Sequence, residues 1–223
     1  MNAQVKAKEP FKFYTRMILP ELTGLKADNL EQLLKMIKEV SPSAIYHHTH
    51  RFLQQHQHLA PEPPNDFAYW VTEVLGEYRL GEKLASIDTV EFSTIETLRA
   101  VIVSAIEEYL KEDPTAGSRT AHKGEEFYFV KSVSFIFPTK HTARDLDEFV
   151  EELKKVTISS IYFHIFEARL RLEKGNNDFS FWIETSVGDK ATADKISKLD
   201  PYAYTLEDLR GQIIGMISER TKK

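Results

Sequence analysis

Between Phe127 and Phe137 every second residue falls on one face: Phe127, Phe129, Lys131, Val133, Phe135 and Phe137, all apolar except Lys131. Period-two alternation of this kind predicts a β-strand, because successive side chains along a strand point to opposite sides. Phe11, Phe13, Thr15 and Met17 repeat the pattern more briefly. After each stretch the period changes. Leu30, Leu33, Leu34, Ile37 and Val40 recur at helical spacing, and Leu146, Phe149, Val150, Leu153 and Val156 follow in the same register. Each set is the apolar stripe of an amphipathic helix. Two further faces of this type close the two halves of the chain: Ile95, Leu98, Ile102 and Ile106, then Leu206, Leu209, Ile213 and Ile217.

The parallel extends to individual residues. Ser43-Ala-Ile45-Tyr46-His47-His48 returns as Ser159-Ser-Ile161-Tyr162-Phe163-His164, and Asn65-Asp66-Phe67-Ala-Tyr-Trp70 as Asn177-Asp178-Phe179-Ser-Phe-Trp182. The chain therefore reads as an internal duplication: a tail over 1–10, a first repeat over 11–111, a Pro/Gly/Ser/Thr-containing linker over 112–124 and a second repeat over 125–223. The expected fold is mainly α with short β (α+β) and pseudo-twofold, with one strand and four or five helices per repeat. The two aromatic strands are expected to pair with each other, since an isolated aromatic edge invites aggregation. The expected helix caps are Asp28, Ser43 and Ser159, Asp66 and Asp178, a capping box over Ser93–Glu96, and Thr205. The scattered Gly24, Gly76 and Gly81 read as turn or helix-end glycines.

Composition narrows the function. The 223 residues carry a net charge of −5 and no cysteine. The charge opposes broad electrostatic binding to nucleic acid or to anionic membrane. The missing cysteines exclude disulfides, thiol catalysis and Cys-ligated metal, and they suit a reducing compartment. No secretory leader, membrane-length apolar run or lipidation motif is visible, so a soluble cytoplasmic protein is expected. Gly-rich phosphate loops, Gly-x-Ser-x-Gly elbows and His-Glu-x-x-His zinc motifs do not occur.

Four groups of residues are chemical candidates. Tyr46 with His48, and Tyr162 with His164, form two Tyr-x-His pairs that burial could tune for acid–base work or that could line a pocket. Their place on an apolar helix face, and their occurrence twice, favour hydrogen-bonded core histidines. His47 and His50 stand i, i+3 on what reads as the outward face, within a cluster that includes His56 and His58. No carboxylate completes a ligand shell, so a solvated, titratable face is expected, with no metal or cofactor. Asn-Asp-Phe-x-x-Trp places a carboxylate near an indole, which suits a sugar ring, but reads first as a helix cap followed by core aromatics. Glu167 and Arg171 are spaced as a surface i, i+4 pair, and Arg169 and Arg171 are candidates for binding a phosphate or a partner's carboxylate.

The Ser-x-Ile-Tyr-x-His and Asn-Asp-Phe-x-x-Trp segments resemble those of an uncharacterised prokaryotic family of similar length, over nearly the whole chain. The resemblance implies a soluble duplicated protein and brings no catalytic residues with it. The function expected from these residues is a non-enzymatic protein-interaction or regulatory module whose partner is another protein. The alternative is a small-molecule-binding protein or enzyme with a pocket between the two repeats. Oligomeric state is not legible.

Overall fold

The computed structural model describes residues 6–55, 65–89, 91–168, 176–199 and 204–220, with backbone alone over 51–55. The fold is α+β. Its sheet has two strands, β1 (Phe11–Ala27) and β2 (Phe127–Ala143). They run antiparallel: Thr139 on β2 bonds Phe13 on β1, and Thr23 on β1 bonds Phe129 on β2. The expected pairing of the two aromatic stretches is thus present, and each strand is longer than its alternating segment. The later half of β1 contains Pro20 and Gly24 and is largely exposed. Its strand character comes from pairing with β2 and not from a buried face of its own. A threonine device recurs in both strands. The Thr23 hydroxyl donates to the Phe129 carbonyl (2.7 Å) and accepts the Leu25 N–H (3.1 Å), with Gly24 between them at φ 78°. The Thr139 hydroxyl donates to Phe13 (2.8 Å) and accepts the His141 N–H (3.1 Å). In each case a side-chain hydroxyl donates across the ribbon and accepts a main-chain N–H two residues on.

Packing divides the chain in the middle of both strands. A continuous unit holds the described residues of Ile18–Gln55 and Ala60–Ser134, and a split unit those of Met1–Met17 and Phe135–Lys223. The first half of β1 therefore packs with the helices that follow β2. The first half of β2 packs with the helices that follow β1.

In the continuous unit the helices are α1 (Leu30–Glu39), α2 (Pro42–Gln55), α3 (Asp66–Glu73), α4 (Tyr78–Ala85) and α5 (Ile95–Glu112), and α1 packs on α5. Leu30, Leu33 and Ile37 of α1, Leu98, Ile102 and Ile106 of α5, and Phe67 and Trp70 of α3 meet Phe127 and Phe129 of β2 in one apolar core. Gly81 lies inside α4, not at a helix end: a Cβ there would collide with Thr72 of α3, so the glycine is the contact that lets α4 approach. Residues 112–124 are packed in this unit through a 3₁₀ turn, Pro114–Ser118, whose Ala116 and Gly117 are buried.

In the split unit α6 (Leu146–Leu153) is followed by α7 (Ile158–Tyr162), which continues as a π segment over Phe163–Glu167. Among the described residues the following helix, α8 (Asp178–Trp182), also continues as a π segment, over Ile183–Val187. Then come α9 (Lys190–Ser197) and α10 (Leu206–Arg220). Phe11 and Phe13 of β1 are buried here with Phe149, Phe179 and Trp182. The predicted face of α10, Leu206, Leu209, Ile213 and Ile217, is buried throughout.

Several caps fall one or two residues from their expected positions. Asn29, not Asp28, caps α1, and Asp145 caps α6. The expected cap Ser43 lies inside α2, and Thr157, not Ser159, caps α7. Thr94 caps α5 in place of a Ser93–Glu96 box, while Glu96 pairs with Arg99. Thr205 does open α10, its hydroxyl accepting the Asp208 N–H at 3.1 Å.

Candidate functional site

The site is built from a helix start, a helix face and a strand edge. Asn65 caps α3: its carbonyl oxygen accepts the Ala68 N–H (2.8 Å) and its amide donates to the Leu84 carbonyl (3.0 Å). Asn177 does the same for α8, through Ser180 (2.8 Å) and Ile196 (3.3 Å). The expected caps Asp66 and Asp178 are thereby displaced to the first helical position, where their carboxylates meet histidine. Asp66 Oδ2 lies 2.8 Å from His48 Nδ1, and Asp178 Oδ2 lies 2.7 Å from His164 Nδ1.

The other ring nitrogen fixes the tautomer. His48 Nε2 accepts the Val130 N–H at 3.0 Å, and His164 Nε2 accepts the Tyr14 N–H at 2.8 Å. A backbone N–H only donates, so Nε2 carries the lone pair and Nδ1 the proton that faces the aspartate. The carboxylate–imidazole arrangement resembles the orienting half of a catalytic triad. Here, however, the lone pair that would abstract a proton is already spent on the backbone. The Ser160 hydroxyl completes the contact in the split unit by donating to the Tyr14 carbonyl at 2.6 Å. Together His164 and Ser160 satisfy both backbone groups of an edge residue, which would otherwise be open to pairing with another chain.

The two residues of each Tyr-x-His pair go different ways. Tyr46 stacks on His50 (centroids 5.0 Å, interplanar 10°) and Tyr162 on Phe166 (5.1 Å, 16°), while the histidines turn to the strands. Neither stacking contact involves the histidine of the same pair. His47 and His50 are buried and not on a solvated face. His47 Nδ1 lies 3.0 Å from Ser132 Oγ, and His50 Nδ1 lies 2.8 Å from Thr49 Oγ1. Every residue from Ala44 to His50 is buried, so this turn of α2 has no outward side for the period to reveal. Among the described residues no three His, Cys, Asp or Glu side chains gather as a metal site. Glu167, expected as a surface partner of Arg171, is buried and paired with Arg16 of β1. Arg169, Arg171, His56 and His58 lie outside the described residues.

Three structural groups were not anticipated. Arg99 donates to the carbonyls of Ile37 (2.6 Å) and Val40 (2.7 Å), and Arg210 donates to those of Leu153 (2.7 Å) and Val156 (2.8 Å). Each arginine of a last helix satisfies the orphan carbonyls that end the first helix of its unit. Leu98-Arg99 and Leu209-Arg210 stand at matching positions of their helices and could have signalled this. The Trp70 and Trp182 indoles donate to the Glu125 and Glu9 carbonyls, each at 2.7 Å, and tie down the chain ahead of each strand. In the continuous unit, buried Glu77 accepts the Tyr109 hydroxyl (2.7 Å) and pairs with Arg119 (2.8 Å). Burial, reinforced by the Glu77 carboxylate, pushes the Tyr109 phenol up to about 12.

The split unit also carries a cleft of about 420 Å³ beside His164. Phe11, Tyr14, Phe163, Phe181 and Trp182 form its walls, and Lys12 and Asp178 bring charge to it.

Fold and site together define a helical α+β protein with a two-stranded ribbon, in which a histidine–aspartate pair clamps each strand. The chain belongs to DUF5752, a family of unknown function whose profile matches residues 8–218. It is similar to OrfY from Thermoproteus tenax, with 31% sequence identity and a TM-score of 0.81 over 96% of each chain. No curated protein matches it. No helix among the described residues is long and apolar enough to cross a membrane.

Proposed function

We propose that this protein is a non-enzymatic interaction or regulatory module that binds another protein, and that it arose by internal duplication into a pseudo-twofold pair of repeats. The observation that carries the non-enzymatic reading is the state of the two histidines. Both ring nitrogens of His48 and of His164 are engaged, with Nε2 accepting a main-chain N–H. No lone pair is left for a substrate proton, and the Asp–His pairs act as clamps. The duplication is supported by the recurrence of one set of contacts in each unit: Asn cap, Asp–His pair, indole tie and arginine on helix-end carbonyls.

Apolar exposure supports a protein partner. Leu22 is 75% exposed, and Leu19 and Leu25 of the continuous unit are also open. Phe135, Ile136 and Phe137 are exposed in the split unit. Apolar side chains grouped this way on strands mark interaction surfaces. The net charge of −5 does not favour nucleic acid, and the absence of cysteine suits a reducing cytoplasm.

The test is affinity capture from the native cell with the wild-type chain, Leu22→Glu and Phe137→Glu. One partner enriched by the wild type and lost with a charged variant supports the reading. If no partner is enriched, while purified protein turns over a metabolite, the reading is wrong.

A further inference from the structure

Charge is unevenly spread on the split unit. Its stretches 6–12 and 135–140 hold four lysines, Lys6, Lys8, Lys12 and Lys140, against one carboxylate, Glu9, in a chain whose net charge is −5. All four lysines are exposed, and among the described residues none has a carboxylate within ion-pair distance. Lys154 and Lys155 of the same unit are by contrast paired with Glu151 and Glu152. The path of the chain gathers the four. The Ala7 N–H bonds the Arg144 carbonyl (2.8 Å) and the Lys8 N–H bonds the Ser186 carbonyl (2.9 Å), so the lead-in to β1 runs past the end of β2. Thr139 bonds Phe13, and antiparallel pairing then brings Lys140 beside Lys12. Like charges set side by side on a strand pair cost stability, so the fold itself gains nothing from them. Next along β2 lie Phe135, Ile136 and Phe137, which are 43%, 50% and 45% exposed. Phe137 is three residues from Lys140, about 10 Å along a strand. Cations thus rim an apolar patch.

We propose that the partner segment docking on this face is acidic and apolar together, an inference that rests on the protein-binding reading above and names the chemistry of its partner. Carboxylates of the segment meet Lys12 and Lys140, and large aliphatic or aromatic side chains cover Phe135 and Phe137. The apolar centre supplies most of the affinity. The rim cations add little to it, but they steer an acidic segment in and reject a basic one. Strand addition is not the way in. His164 and Ser160 already hold the N–H and the carbonyl of Tyr14 on β1, and Pro138 of β2 has no N–H to offer. The segment is therefore met by side chains. A nucleic acid would find the same lysines, but a long polyanion also meets the net negative charge of the whole chain.

The experiment is fluorescence anisotropy of the full chain with labelled peptides that alternate leucine and phenylalanine with glutamate, or with lysine in its place, and with oligodeoxythymidine of matching length. The glutamate peptide is expected to saturate at about 100 μM or below, and the lysine peptide to bind roughly tenfold more weakly. Lys12→Glu combined with Lys140→Glu should weaken the glutamate peptide by roughly tenfold or more, and Phe137→Ala by about as much. Lys12→Arg combined with Lys140→Arg keeps both charges and should retain binding. Lys35→Glu, the same charge change at an exposed position of α1 in the continuous unit, should alter binding by less than about twofold. If Phe137→Ala disturbs folding, the lysine substitutions, both at exposed positions, still decide. Equal binding of the two peptides overturns the proposal, as does tighter binding of the oligonucleotide. So does glutamate-peptide binding that survives the lysine reversals, or no saturation up to about 1 mM. A partner still captured from the native cell after such a result leaves the protein-binding reading standing and removes only the acidic chemistry.

Discussion

His48 and His164 make the same two bonds in different surroundings. The aspartate paired with His48 is 52% exposed, whereas the one paired with His164 is 15% exposed. Beside His48 stands His47, bonded to Ser132; beside His164 stands Phe163, a wall of the cleft. Ala44 lies where the split unit has Ser160, whose hydroxyl holds the Tyr14 carbonyl. α2 is regular through His48, while the helix carrying His164 is π-wound at that point. What the two surroundings share holds a strand in place. What they do not share includes Phe163, a wall of the cleft beside His164.

The largest expected effect tests that contrast directly. His164→Ala leaves the Tyr14 N–H without its acceptor and the Asp178 carboxylate mostly shielded from water, and should cost about 4 kcal/mol. His48→Ala makes the same deletion where Asp66 can hydrate, and should cost about 2 kcal/mol. Urea unfolding followed by Trp182 fluorescence in a Trp70→Phe background reports the split unit, and the reverse construction reports the continuous one. Equal losses in the two units would mean that the difference in aspartate exposure has no energetic weight.

Arg99→Ala and Arg210→Ala come next. Each removes two hydrogen bonds to helix-ending carbonyls, and each should cost about 2 kcal/mol in its own unit. Here the contrast predicts equality, and a twofold disparity in unfolding free energy would break it. Gly81→Ala should then destabilise the continuous unit by about 1–2 kcal/mol, because Thr72 must move to admit a methyl group. Ala193, at the corresponding place in α9, already carries that methyl and is buried, so Ala193→Gly should cost only about 1 kcal/mol, through helix propensity.

The smallest effect concerns Tyr109 in the continuous unit. Its phenol titrates at about 12 in the folded chain, against an ordinary value of 10. The neutral form is the one the fold favours, so its stabilisation is complete below pH 10 and is lost as pH rises toward 12. Ultraviolet titration should show one late phenolate that disappears in Tyr109→Phe, at a stability cost of about 1 kcal/mol at neutral pH. A titration unchanged by the substitution would mean that Glu77 and burial do not hold that proton.

The helical faces were legible because apolar spacing reports burial directly. Leu30, Leu33 and Ile37, and Leu206, Leu209, Ile213 and Ile217, are all buried as their period requires. The caps were less legible because candidate residues stand side by side. In Asp28-Asn29 and in Asn65-Asp66 either side chain can cap, and spacing does not say which. At Asn65-Asp66 the choice carried meaning: with asparagine as the cap, the aspartate was available to histidine. The burial of His47 and His50 was invisible for another reason. A helical period marks the more apolar side of a helix, but it does not say that the other side is open to water. The Asp–His–backbone clamp could have been inferred from two recurring motifs that share an acid and a base. Its direction could not, because the acceptor role of Nε2 depends on a main-chain N–H, and main-chain groups leave no trace in residue type.

The division of both strands between the units has a consequence for synthesis. Tyr14 finds His164 only 150 positions later. The ribosome therefore releases Phe11 and Phe13, among the most aromatic residues of the split unit, long before any helix exists to cover them. The continuous unit closes first, once Phe129 has emerged. It closes with the leading end of β1 still unsheltered and joined to it. The nascent chain thus carries an adhesive strand until the helices that cover it have been made. Holdase chaperones that shield short aromatic segments should bind Phe11 and Phe13 early and leave only when α8 is complete.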